Sequence, residues 1–191
     1  MAGWGYIAKT ASLLGVSVSD IKGVFFDYGG TLMDNKSDQR AHIEIMERVI
    51  KEFNLDWTSE ALLKKFEEIH NKNYPDELLE KHWVNGRQRF IEIIELIVGK
   101  KFTPIEIIWF NSIYEKIHKW YVRIFDDTPK VLEFTRRNFK HVGIISNADD
   151  EFIYRELARF GLMEFFDSVT TSEGVGFAKP NREIFMVALD K

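Results

Sequence analysis

The chain has no cysteine among its 191 residues, which excludes disulfides, thiolate catalysis and cysteine-bound zinc in one step. It also lacks a basic surplus. Lys and Arg number 26 against 30 Asp and Glu, a formal charge of −4, so nucleic acid is not an expected partner. Long hydrophobic runs are missing too. Residues 1–20 are mildly apolar, but Lys9 interrupts them and no basic stretch precedes an apolar core, so they fit neither a signal peptide nor a membrane span. A cytoplasmic protein with a short N-terminal extension and no membrane partner is expected. Histidines occur at 42, 70, 82, 118 and 141, in no HxxxH or HxH spacing, so a histidine-built zinc site has no local support. They are expected at the surface or satisfied in the interior, and any metal is expected to rest mainly on oxygen ligands. What is present is ordinary for a globular protein: 45% hydrophobic and 29% charged residues, enough for one domain carrying an insertion. Nothing in the composition excludes an oligomer.

The pattern changes at Ile21. Ile21, Val24, Phe25 and Phe26 form an apolar run into Asp27-Tyr28-Gly29-Gly30-Thr31-Leu32, which predicts a buried strand ending in a glycine turn. From about Ser37 to Trp120 the period is helical, with Ile43, Met46, Val49, Ile50 and Phe53 on one face, then Leu62, Leu63, Phe66 and Ile69. At least four helices fit this block. Gly99 reads as a stop for one, and Thr103-Pro104-Ile105-Glu106 as a capping box that starts the next. Asp127-Thr128-Pro129 opens a helix through about Asn138, and His141 to Ile145 predicts a strand ending in Ser146-Asn147. A helix from about Asp149 to Phe160, a strand over Ser168 to Thr171, a glycine-bearing loop from Glu173 to Phe177 and a helix from Pro180 complete the order. Alternating β and α elements predict an α/β fold, a parallel Rossmann-like sheet with crossover helices, interrupted after its first strand by a helical insertion.

Ligands of open α/β sheets bind at the carboxyl ends of the strands. Asp27, Ser146 and Lys179 fall at or just past such ends. A carboxylate, a hydroxyl and a cation together fit an anionic, oxygen-rich ligand, most economically a phosphate. Alone, each residue has a blander reading: Asp27 a turn carboxylate, Ser146 a helix N-cap, Lys179 a solvated surface cation.

Val24 to Leu32, Ile144-Ile145-Ser146-Asn147 and Gly176-Phe177-Ala178-Lys179-Pro180, taken in order, resemble the first three motifs of the haloacid dehalogenase-like hydrolase superfamily. The resemblance runs from Ile21 to the C-terminus, with the helical insertion where that family carries its cap. It implies a core of residues 21–34 and 122–191 and a helical cap of residues 35–121. By the same resemblance Asp27 is the nucleophile that forms an aspartyl-phosphate, Mg2+ is the cofactor, and the Asp27 carboxylate and the Gly29 backbone carbonyl are its ligands. Ser146 and Lys179 hold the phosphoryl group of a small phosphorylated substrate, and Asn147, also in the binding loop, is expected to shape it rather than react.

Two departures qualify that expectation. The family's phosphatases usually place a second aspartate, the general acid and base, where this chain has Gly29, so reduced activity on simple alkyl phosphates is expected. The family's fourth, acidic motif should lie beyond the twelve residues that follow Lys179, so the chain is expected to stop short of it. Asp149 and Asp150 are not expected to replace it, because they stand where acidic residues favour a helix N-terminus. A metal-independent 2-haloacid dehalogenase and a catalytically weak binding or regulatory protein are the alternatives. Within the insertion, Trp83 is expected to be packed and Arg87 and Arg89 solvated, while Trp109, Phe110, Ile113 and Ile117 form a packing stripe.

Overall fold

The computed structural model describes residue 17 and residues 20–191, so the expectation of an extension over residues 1–20 lies outside the described residues apart from Ser17 and Asp20. The apolar run after Ile21 forms β1 (Gly23–Phe26). Five helices follow: α1 (Asn35–Phe53), α2 (Ser59–Asn73), α3 (Asp76–Lys81), α4 (Gly86–Val98) and α5 (Pro104–Tyr121). Then come α6 (Thr128–Asn138), β2 (His141–Ser146), α7 (Asp150–Arg159), a 3-10 turn (Met163–Phe165), β3 (Ser168–Thr171), α8 (Ser172–Val175) and α9 (Arg182–Leu189). The expected loop over 173–177 is therefore partly the short helix α8. The last helix begins at Arg182 rather than Pro180, because the Asn181 side chain accepts from Glu183 N and caps it.

All three strands are parallel in the order β1-β2-β3, with Phe26 opposite Ile144 and Ser146 opposite Thr171. Alternation along the strands sends successive side chains to opposite faces. Phe26, Ile144 and Val169 face a core that holds Leu132 of α6 and Ile153 and Leu157 of α7, whereas Phe25 and Ile145 meet Ile184 and Ala188 of α9. Both faces are thus covered, as a parallel sheet requires. Gly143 is needed where β2 passes its neighbours: a Cβ there would lie 2.6 Å from the Phe25 ring and 2.7 Å from Ser168 Oγ.

In the helical block the expected stripe on α1 is displaced. Ala41, Ile45, Met46 and Val49 are buried, while Ile43, Ile50 and Phe53 are only partly so. The reason is tertiary, since α1 packs against both α2 and α5 and needs two apolar faces. The α5 capping box forms as expected, with Glu106 N donating to Thr103 Oγ1 and Thr103 N to Glu106 Oε2. Gly99 ends α4 at a φ of 78°. Phe110 and Ile117 are buried and Trp109 and Ile113 pack beside them, so that stripe is core. No described helix is long and apolar enough to cross a membrane.

Candidate active site

β1 delivers Asp27 one residue past its carboxyl end, and the parallel register places it beside the end of β2. The chain then reverses tightly. Leu32 N and Met33 N both donate to Tyr28 O, and Gly30 N donates to Met33 O. Gly30 sits at a φ of 74°, the left-handed region, so the turn requires glycine. The turn leaves the Gly29 carbonyl with no backbone hydrogen bond from a described residue.

Lys179 arrives from the other end of the sequence. Its Nζ lies 2.9 Å from Asp27 Oδ1 and donates to Ile145 O at 2.9 Å, so the ammonium is held between the ends of β1 and β2. Tyr28 N donates to the same Asp27 oxygen at 2.8 Å. Asp27 Oδ2 receives no hydrogen bond from a described residue. Ser146 is the last residue of β2 and buried. It is not a helix N-cap, because α7 starts only at Asp150.

Asn147 acts on the loop beside it. Its Oδ1 accepts from Lys179 N (2.6 Å) and Ser172 Oγ (2.9 Å), and its Nδ2 donates to Lys179 O (3.2 Å). Asp149 holds the N-terminal position of α7 but does not cap that helix. Its carboxylate accepts from Gly86 N, Arg87 N and Trp83 Nε1 and so caps α4 across the cleft. Burial raises the Asp149 pKa even though these donors favour the charged form. Asp150 is engaged by the Thr171 hydroxyl. Neither acid stands free beside Asp27.

Between the strand ends and the helical block lies a cavity of about 470 Å³. Asp27, Gly29, Ser146, Asn147 and Lys179 line one side; Trp83, Arg87, Arg89, His42, His70 and His118 line the other. This corrects one expectation: Arg89 is buried, at 8% exposure, rather than solvated. Three histidines border the cavity. The Arg89 guanidinium stacks 4.6 Å over Trp83 and lies 3.2 Å from His70 Nε2, while its Nε has no partner. Burial lowers its pKa. Arg87, by contrast, is bound to Glu115 and Glu151. Asp38 completes the far wall, its pKa lowered because contacts to His118 and the nearby His42 outweigh its burial. Burial holds His42 below the usual imidazole range, opposed by Asp38 and reinforced by His118.

The chain is 28% identical over 169 residues to the glyceraldehyde 3-phosphate phosphatase of Methanothermobacter thermautotrophicus, covering 88% of this chain and 70% of that protein. The enzyme of the same name from Methanocaldococcus jannaschii is 26% identical over 171 residues, covering 90% and 71%. In solved structures the fold is similar to L-2-haloacid dehalogenase from Xanthobacter autotrophicus, with a TM-score of 0.62 at 16% identity, covering 89% of this chain and 64% of that one. The model of the haloacid dehalogenase-like hydrolases matches residues 21–191. With the three motifs at the carboxyl ends of a parallel sheet, the chain belongs to that family of hydrolases.

Proposed function

We propose that the chain is a Mg2+-dependent phosphohydrolase of small phosphorylated metabolites in the cytoplasm, with residues 21–34 and 122–191 as its core and residues 35–121 as a cap over the site. The observation that carries this reading is the 2.9 Å contact between Lys179 Nζ and Asp27 Oδ1 at the strand ends, which aims a nucleophilic carboxylate and a fixed cation into one cavity. The names of the archaeal relatives support a small phosphorylated substrate. So does Arg89 on the far wall, a buried guanidinium with no carboxylate in salt-bridge contact among the described residues.

In this mechanism an Asp27 oxygen attacks phosphorus, the bond from phosphorus to the leaving alcohol breaks, and an aspartyl-phosphate forms. Lys179 and the Ser146 hydroxyl bind the phosphoryl oxygens, and Asn147 fixes Lys179 through its backbone. Gly29 carries no side-chain acid, so the departing alkoxide takes its proton from water. A second water then attacks phosphorus, releasing inorganic phosphate and restoring the carboxylate. The donor set fits magnesium: Asp27 and the Gly29 carbonyl are hard oxygens with unengaged lone pairs, and Mg2+ commonly rests on one or two carboxylates plus water and substrate phosphate. Bound there, the ion would neutralise charge on the transferring phosphoryl group.

The test is turnover of p-nitrophenyl phosphate and acetyl phosphate by the full-length chain, with and without Mg2+. Activity that needs the metal and disappears in Asp27→Asn is expected. Halide release from 2-haloacids without metal would replace this reading with the dehalogenase, and inactivity in both assays would leave a binding or regulatory protein.

A further inference from the structure

The far wall of the cavity holds a cluster that the Asp27 chemistry does not use. Asp38 and His42 stand one turn apart on α1, and His118 reaches them from the last turn of α5. One ligand atom from each can be chosen so that all three lie within 4.8 Å of one another.

The protonation of His118 makes this arrangement informative. Its Nδ1 lies 2.9 Å from Tyr114 O. A carbonyl only accepts, so Nδ1 carries a hydrogen. In a neutral ring Nε2 therefore presents a lone pair, and it lies 3.5 Å from Asp38 Oδ1 with the side chain 1% exposed. A lone pair facing a carboxylate at that distance is repulsive unless something joins them. Asp38 is 26% exposed and both residues line the cavity, so three species can do so: a bridging water, a proton, making an imidazolium ion pair, or a metal ion.

Geometry and surroundings favour the metal. Two ligands 3.5 Å apart and each about 2.1 Å from a zinc ion subtend about 113° at it, close to tetrahedral. The hydrogen bond from Nδ1 to a backbone carbonyl is the outer contact that orients a metal-bound histidine. The His42 ring, 5.5 Å from that of His118, adds a nitrogen, and a proton shared by Asp38 and His118 has no use for it. Stacked Tyr114 and edge-on Phe152 surround His118 with apolar surface.

We propose that Asp38, His42 and His118 bind a divalent transition-metal ion of the zinc class, at a site separate from Asp27 whose fourth position opens on the cavity. Three protein ligands and one open position are the pattern of a zinc site that takes water or a substrate oxygen. The site goes beyond the phosphohydrolase reading and does not depend on it.

The test uses full-length protein stripped with a chelator, then titrated calorimetrically with ZnCl2 in excess MgCl2; CoCl2 is followed by visible absorption. One Zn2+ per chain is expected, together with the Co2+ bands of a four-coordinate site. Asp38→Asn and His118→Asn should each weaken Zn2+ binding by about 100-fold or more, since even an outer partner of a metal site is worth about 10–100-fold. Asparagine at 118 keeps a donor for Tyr114 O, and circular dichroism verifies the fold of each variant. Asp27→Asn should bind Zn2+ like the parent, which separates this site from the phosphohydrolase reading. Absence of saturable binding, equal affinity in the parent and both wall variants, or loss in Asp27→Asn overturns the proposal. So does an imidazolium at His118, seen by NMR at neutral pH, that added Zn2+ leaves unchanged.

Discussion

Restoring an acid at Gly29 is the sharpest perturbation of the proposed chemistry. A Cβ built on Gly29 meets nothing closer than Asn35 Oδ1 at 3.9 Å and Met33 Cε at 4.0 Å, which is ordinary contact. Its φ lies outside the left-handed region that strains other residues. Gly29→Asp therefore fits without moving the turn, and loss of unfolded-state freedom adds about 0.4–1 kcal/mol of stability. For a new carboxylate within about 6 Å of that of Asp27, an effective dielectric near 20 sets the cost at about 3 kcal/mol if both are ionised, before Lys179 screens it. That is about two pKa units, in the direction a general acid needs. Proton donation to the leaving group is worth about 10²–10⁴ in rate, or roughly 3–5 kcal/mol. The expected result is a gain of that order in kcat/KM for an alkyl phosphate such as glycerol phosphate. A much smaller gain is expected for p-nitrophenyl phosphate, whose leaving group needs little help, and the pH-rate profile should acquire a new acidic limb. A variant that is folded by circular dichroism and shows no gain on the alkyl substrate would refute the argument, because another group would then already supply the proton.

Three further outcomes follow from the same geometry. Lys179→Met should lower kcat about 10²–10³-fold by removing the cation at the phosphoryl site. The lysine side chain is 22% exposed and that of Asp27 41%, so the melting temperature should barely change. Gly143→Ala should leave the chemistry intact but destabilise the fold by about 1–3 kcal/mol in urea titration, because its methyl collides with Phe25 and Ser168; an unchanged midpoint would contradict that packing. Asp167 accepts from Val142 N and from Arg136, tying the start of β2 to α6. The backbone donor first and the guanidinium second hold its pKa below the ordinary 3.8. Its stabilisation is thus present above 3.8 and lost as pH falls through the depressed folded value, so the stability gap between the parent and Asp167→Asn should be constant at neutral pH and close in acid.

What could be read in the sequence was what local chain chemistry determines. The strand into Asp27, the glycine turn and the α5 capping box depend on neighbours a few residues apart, and each forms as expected. Lys179 was legible through its motif; no spacing rule pairs it with Asp27. The far wall of the cavity was hidden for a physical reason. Arginine on a helix is ordinarily solvated, and Arg89 is buried only because Trp83 and His70, from other elements, close over it. The absence of a histidine spacing motif was a true statement about the sequence and a misleading one about space. Packing of α1 on α5 brings His42 and His118 together, and that contact has no local signature. Ser172 to Val175 turned helical because Thr171 caps it through Gly174 N, although the glycines there argued for a loop.

The loop after β2 joins two tasks that the sequence presents as one motif. Ser146 and Asn147 line the Asp27 side of the cavity, the second fixing the backbone of Lys179. Two residues later Asp149 reaches the opposite way and accepts three donors from the segment that starts α4. A half-buried carboxylate costs free energy unless its lone pairs are satisfied, and these donors exist in one place only while α4 stays where it is. Trp83 N to Gly176 O and Ala178 N to Leu79 O tie the helical block to the loop that carries Lys179 by backbone alone. Withdrawing the helical block would therefore strip Asp149 of its partners, open the wall that carries Arg89 and loosen the loop that carries Lys179. The far wall of the cavity and the alignment of the cation therefore depend on the same few hydrogen bonds.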